Sequence, residues 1–281
     1  MHDGRTLMEV RGHYRMLSNA APPKFDNRAT VAGSGIAAAA RDGVARAASV
    51  GLSLLRSALP QTCALCAAPS GNALLCTACE VALPRIDAAC PRCALPSPDA
   101  AVCGACLAHP PPYVAALAAW AYVFPVDRLL QEFKYGSRLA LAEPLALALC
   151  AALAPRRAPA PDCLVAIPLA PRRQRARGFN HAREIASRVA DGIGVPLADG
   201  MRRTWETPPQ AALRFAQRAA NVSGAFVADG DFSGRSVAIV DDVMTTGATL
   251  ASAARALLAA GALRVEAWAV ARTLPPDRSH S

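Results

Sequence analysis

Residues 237–249 read VAIVDDVMTTGAT. An apolar run delivers two adjacent carboxylates, Asp241 and Asp242. A turn rich in threonine and glycine follows, and a helix is expected to begin near Thr246. Backbone N–H groups and hydroxyls at a helix N-terminus make an anion site suited to a phosphate. Gly247 allows the backbone a close approach. The carboxylates can accept hydrogen bonds from the hydroxyls of a sugar and lie beside a hydrated Mg²⁺. Two consecutive ionised aspartates at the end of a buried strand are costly without such a use. That cost argues against the bland alternative, an ordinary capped helix after an ordinary strand.

The chain contains 10 cysteines, eight of them in Cys-x2-Cys pairs. The pairs are Cys63 and Cys66, Cys76 and Cys79, Cys90 and Cys93, Cys103 and Cys106. The spacing Cys-x2-Cys-x9-Cys-x2-Cys occurs twice, with a period of 27 residues. Zn²⁺ takes four thiolates in a tetrahedron, and two such knuckles supply them. Two structural zinc ions are therefore expected. Sequential pairing is the simpler arrangement and interleaved pairing the alternative. Four-cysteine sites are closed, so no catalytic water is implied, and a module this short needs its metal to fold. Cys150 and Cys163 lie in apolar runs and read as buried core thiols.

A third cluster follows the apolar run ending at Ile167. In PRRQRARGFN, Arg172, Arg173, Arg175 and Arg177 fall within six residues. Guanidinium forks bind phosphate oxygens bidentately, and Gly178 and Asn180 add backbone or amide contacts. A solvated basic loop or contact with nucleic-acid phosphates is the alternative. Of the 30 basic residues only Lys24 and Lys134 are lysines. Lys134 thus stands out in FKYG as a compact ammonium that suits phosphate, with chance retention as the alternative. The neighbouring Tyr135 either stacks on a ligand or packs, and packing is the simpler expectation.

These residues need elements to hold them. With 53% hydrophobic and 18% charged residues, the 281-residue chain can bury a core. Its formal net charge of +9 favours a polyanionic ligand or partner. The opening MHDGRTLMEVRGHYR lacks the apolar segment of a secretory leader. No run reaches the roughly 18–20 apolar residues of a bilayer span. A cytoplasmic protein is expected, where clustered cysteines bind metal rather than pair as disulfides. The organisation expected is an arm at 1–33, a helix at 34–59, a double zinc ribbon at 60–108, an α/β domain at 113–275 and a tail at 276–281. The α/β domain is expected to hold a parallel sheet flanked by helices, from strand-like runs at 115–124, 163–167, 236–240 and 264–271. Helices are expected from Val126 to about Ala154, at 181–191 and at 246–260. Residues 202–221 read as a flexible polar connection at the site mouth.

The segment VAIVDDVMTTGAT is similar to the signature of type I phosphoribosyltransferases. The span from about Leu59 to Leu274 more narrowly resembles the ComF/GntX proteins, a competence-associated family with an N-terminal double zinc ribbon. FKYGS at 133–137, AIPLAPRRQRARGFNHA at 166–182, RRTWETPPQAAL at 202–213 and RAAN at 218–221 carry the same likeness. The resemblance implies a type I phosphoribosyltransferase fold. It implies that Asp241 and Asp242 bind the ribose hydroxyls of phosphoribosyl pyrophosphate (PRPP) with Mg²⁺. Thr245, Thr246, Gly247, Ala248 and Thr249 would hold the 5-phosphate. Arg172, Arg173, Arg177, Gly178 and Asn180 would form the pyrophosphate loop. Arg203, Thr207, Gln210, Arg218 and Asn221 match the family pattern as further ligand contacts. The family departs from this chain at His181, where it usually has Gln, and at Ala67 and Ala94, where it often has Gly after a knuckle cysteine. Three functions fit the resemblance. One is transfer of a phosphoribosyl group to a nucleobase-like acceptor, and one is ligand sensing without turnover. The third is single-stranded DNA handling in DNA uptake, with a helicase-like DNA-translocation ATPase as partner.

Overall fold

The structure is a computed structural model that describes residues 61–136, 138–156, 158–170, 178–204 and 224–275. The arm, the helix at 34–59 and the tail expected from the sequence lie outside the described residues. The chain divides between Ala82 and Leu83 into two compact units.

In the first unit, β1 (Gln61–Thr62) and β2 (Pro69–Gly71) pair antiparallel, and α1 (Thr77–Val81) follows. Cys63 and Leu75 are its buried apolar side chains among the described residues. A core that small cannot hold a fold without a further constraint.

The second unit opens with the second cysteine segment, which ends in the short helix α2 (Gly104–Ala108). It continues with β3 (Ala115–Ala121), α3 (Val126–Tyr135), α4 (Ala142–Leu153), β4 (Cys163–Ala166) and α5 (His181–Ile193). Then come β5 (Met201–Arg203), β6 (Phe226–Ala228), β7 (Ser236–Met244), α6 (Ala248–Ala259) and β8 (Arg264–Arg272). The strand order β3-β8-β7-β4 makes a four-stranded sheet in which every neighbouring pair is parallel. Strands β5 and β6 pair antiparallel beside it. Side chains alternate across the sheet. Val165, Val237, Ile239, Val265 and Ala267 share one core with Leu250, Ala253 and Leu257 of α6. The intervening Leu164, Ala238, Val240 and Trp268 are also buried. On that side α4 packs against β3 and β8, and α5 against β4 and β7. Both faces are covered, which is why these strands read as continuous apolar runs. No helix among the described residues is long and apolar enough to cross a membrane.

Three expectations need correction. The helix expected from Val126 to about Ala154 is two helices. Gly136 closes α3, donating its N–H to the Glu132 carbonyl at 2.8 Å. A Cβ there would meet that same oxygen at 2.7 Å. Pro144 sits in the first turn of α4, where its missing N–H costs nothing. The strand expected at 236–240 runs on through both aspartates to Met244, because β8 extends to Arg272 and pairs with it. The helix expected near Thr246 starts at Ala248, after Gly247 turns the chain at φ 81°.

The second cysteine segment is bonded to the sheet. Ala116 N–H donates to the Pro91 carbonyl and Ala121 N–H to the Pro84 carbonyl, each at 2.8 Å. These bonds cover the outer edge of β3, which would otherwise present unpaired backbone groups.

Candidate functional site

The C-terminal ends of β4 and β7, the end of α3 and the start of α5 surround a cavity of about 260 Å³. Ligands bind outside the strand C-termini in open α/β sheets. Asp241, Asp242, Thr245, Gly247, Thr249, Lys134, Tyr135, Asn180 and Arg203 all line it. The fold thus gathers candidates from four separate stretches of chain. Arg172, Arg173, Arg175, Arg177, Thr207, Gln210, Arg218 and Asn221 lie outside the described residues.

Lys134 Nζ sits 2.9 Å from Asp242 Oδ2, with both side chains largely buried. Burial alone would pull the ammonium down, but Asp242, with Asp241 and Tyr122 behind it, holds it above its ordinary value. The lysine is therefore a fixed positive charge beside the two acids. Burial, followed by the charge of Asp242, pushes the Asp241 carboxyl up to about 7. Lys134, the Asp242 N–H and Arg203 work against that rise. The Asp242 N–H donates to Asp241 Oδ1 at 2.8 Å. Paired carboxylate oxygens of this kind suit a hard cation such as Mg²⁺.

The loop after β7 is held by its own bonds. Thr246 Oγ1 accepts from Ala248 N–H at 3.2 Å. A Cβ on Gly247 would lie 3.0 Å from the Tyr113 hydroxyl. Gly178 also has a positive φ, 77°. Asn180 is the N-cap of α5, accepting from Arg183 N–H at 3.3 Å. Its amide donates to the Ile167 carbonyl at 3.0 Å, so it anchors the helix to β4 as well as facing the cavity. Arg203 lies in β5, so residues 202 and 203 belong to a strand rather than to a flexible connection. Tyr135, expected to pack, is 71% exposed at the rim.

Two polar lining residues were missed as site candidates. Tyr122 follows β3 and faces the cavity, and nothing in its local pattern marks it. His181, noted in the sequence as a departure from the family, is 1% exposed. Its Nε2 lies 3.1 Å from the Lys134 carbonyl oxygen. Its ring meets Phe133 edge-on at 5.1 Å and Phe179 at 4.5 Å. His181 thus bears on the turn of α3 that carries Lys134.

The cysteines form two clusters, Cys63, Cys66, Cys76 and Cys79, and Cys90, Cys93, Cys103 and Cys106. Within each, the sulfurs all lie within 4.8 Å of one another. Sequential pairing is the arrangement found. Zn–S bonds of about 2.3 Å in a tetrahedron place sulfurs roughly 3.8 Å apart. The Cys66–Cys76 and Cys93–Cys103 sulfurs are both 3.7 Å apart. The donor set therefore fits zinc. Hydrogen bonds from Cys66 and Cys76 push the Cys79 thiol up to about 12. For Cys63, burial raises the thiol, but backbone N–H groups outweigh it and bring it down to about 6. The two knuckles repeat the same turn. Ala67 and Ala94 donate to the Cys63 and Cys90 carbonyls at 2.9 Å, and both have left-handed φ, 59° and 56°. Cys150 and Cys163 are buried apart from both clusters, as expected.

Residues 54–107 match the double zinc ribbon domain and residues 176–279 the phosphoribosyl transferase domain. The chain is 35% identical over 173 residues to the DNA utilization protein YhgH of Salmonella typhi, covering 60% of this chain and 76% of that protein. It is 31% identical over 159 residues to the competence protein F of Haemophilus influenzae, covering 54% and 69%. The chain belongs to the ComF/GntX family. This ComF-family chain also matches a solved glutamine PRPP amidotransferase from B. subtilis at 22% identity and a TM-score of 0.35. That match covers 50% of this chain and 30% of the other. Positions 67 and 94 are left-handed, where alanine is strained and glycine is not.

Proposed function

We propose that this ComF-family protein binds PRPP with Mg²⁺ and transfers its 5-phosphoribosyl group to a nucleobase-like acceptor. One observation carries the reading. The paired carboxylates of β7 and Thr245, Gly247 and Thr249 of the loop after it line the same cavity as Lys134 and Arg203, while Thr246 and Ala248 of that loop do not line it. In this reading Asp241 and Asp242 accept hydrogen bonds from the ribose hydroxyls. The loop N–H groups and threonine hydroxyls hold the 5-phosphate. Lys134 keeps the two acids from repelling the ligand, and Arg203, with Arg172, Arg173 and Arg177, would bind the pyrophosphate. The bond from the anomeric carbon to the pyrophosphate oxygen breaks as the bond to the acceptor nitrogen forms. Mg²⁺ beside the acids would neutralise charge on the departing pyrophosphate. The protein's own part is positioning and fixed charge. No general base is required when the acceptor nitrogen is already nucleophilic.

The test is calorimetric titration of PRPP with Mg²⁺ into zinc-loaded protein. Saturable binding is expected, and the Asp241→Asn/Asp242→Asn double variant is expected to lose at least a hundredfold in affinity, about 3 kcal/mol. A folded wild type that binds no PRPP overturns the reading.

A second reading is favoured by the relatives' names and by the net charge of +9. The protein would act in the cytoplasm in DNA uptake, its basic loop on single-stranded DNA, with a helicase-like DNA-translocation ATPase as partner. Such binding should weaken steeply with salt and survive Asp241→Asn, which separates it from the donor site.

A further inference from the structure

Arg272 ends β8 and is 4% exposed, although it carries a charge. Burying a guanidinium is costly unless each donor is used. Its donors go in two directions. Nε donates to the Cys93 carbonyl at 2.8 Å, inside a knuckle of the second cysteine cluster. Nη1 donates to the Met244 carbonyl at 3.0 Å and to the Thr245 carbonyl, the two residues that lead into the Thr245–Thr249 loop. The parallel register sets Arg272 beside Met244 and beside Ala121 on the other side. Tyr113 adds a second contact, its hydroxyl filling the space beneath Gly247. Four thiolates around Zn²⁺ leave the cluster net anionic, which offsets the desolvated guanidinium. Without the metal that compensation changes, and the Cys93 carbonyl loses the knuckle that orients it.

We propose that Arg272 is a positioning residue that makes the metal-loaded second cysteine cluster a structural part of the Thr245–Thr249 anion site. The zinc of this cluster thereby does more than hold its own segment. It fixes one end of a guanidinium whose other end fixes the base of the loop. The consequence for PRPP rests on the function proposed above; the mechanical link does not.

The experiment measures amide hydrogen exchange in zinc-loaded wild type, in Arg272→Lys and in Cys93→Ser/Cys106→Ser. Lysine keeps the charge but lacks the fork that reaches both carbonyls. Both variants are expected to raise exchange at residues 245–250 by about tenfold or more, while Val237–Ile239 of β7 in the sheet centre stay protected. Arg272→Lys should also speed one of two phases of zinc release to a coloured chelator. Unchanged exchange at 245–250 in either variant overturns the proposal. So does a rise that spreads equally to the sheet centre, since Arg272 would then serve the fold and not the loop. PRPP titration with Mg²⁺ runs alongside, and about tenfold weaker binding is expected for Arg272→Lys. If wild type binds no PRPP, the donor reading fails and the exchange data still decide the role of Arg272.

Discussion

Burial and the neighbouring Asp242 push the Asp241 carboxyl from an ordinary 3.8 up to about 7. The folded state is therefore penalised when this group ionises. Stability falls as pH climbs from about 4 to about 7 and changes little above, because the folded chain holds the proton more tightly than the unfolded one. Asp241→Asn removes the penalty. Above pH 7 the variant should melt a few degrees higher than wild type, the gap closing toward pH 4, as thermal unfolding across that range will show. The same substitution is expected to weaken PRPP binding in the titration proposed above, the outcome of a residue whose burial serves a ligand rather than stability. The knuckles hold the opposite kind of residue, one strained for no ligand. Ala94 sits at φ 56°. Ala94→Gly should stabilise the zinc-loaded protein by roughly 1 kcal/mol, read as a higher melting temperature with unchanged zinc content.

At the scale of elements, the break between α3 and α4 places a cation. Lys134 occupies the last turn of α3, next to Gly136, and reaches Asp242 on β7 at 2.9 Å. His181 at the start of α5 holds the carbonyl of the same lysine. The turn is thus fixed from two sides, by a helix stop and by a neighbouring helix. Gly136→Ala puts a Cβ 2.7 Å from the Glu132 oxygen. The last turn must shift, at a cost of about 1–3 kcal/mol. Lower stability and weaker PRPP binding are expected together, from thermal unfolding and titration of the same sample. Unchanged affinity in a destabilised variant would show that the position of Lys134 does not matter.

For the whole molecule, metal and fold are linked. The first unit buries Cys63 and Leu75 and little else among its described residues, so zinc is its main source of order. Thiolates must be deprotonated to bind, so zinc should stay bound at pH 8 and leave as pH falls toward about 5. Chelator colour will follow release, and protease cleavage within residues 61–82 should rise in parallel. In the second unit the cysteine segment is bonded to β3 through Pro84 and Pro91. Release there should be slower, because the sheet holds the knuckle after the metal is challenged.

The cysteine spacing alone carried the two four-cysteine clusters, and VDDVMTTGAT alone carried the paired acids and the turn that follows them, because both depend on neighbours within a few residues. Apolar runs bounded by Pro and Gly likewise marked the parallel strands. Tertiary structure decided the rest. That Lys134 pairs with Asp242, that Arg203 faces the acids and that Tyr122 lines the cavity depend on which strand lies beside which. The order β3-β8-β7-β4 sets Arg272 beside Met244, and nothing local to either residue encodes that. Arg272 looked ordinary in the sequence, and His181 stood out there only as a departure from the family pattern, because their partners stand 179 and 47 residues away along the chain. Contacts over such distances come from burying shared apolar faces, and a periodic pattern shows that a face exists without naming the face it meets.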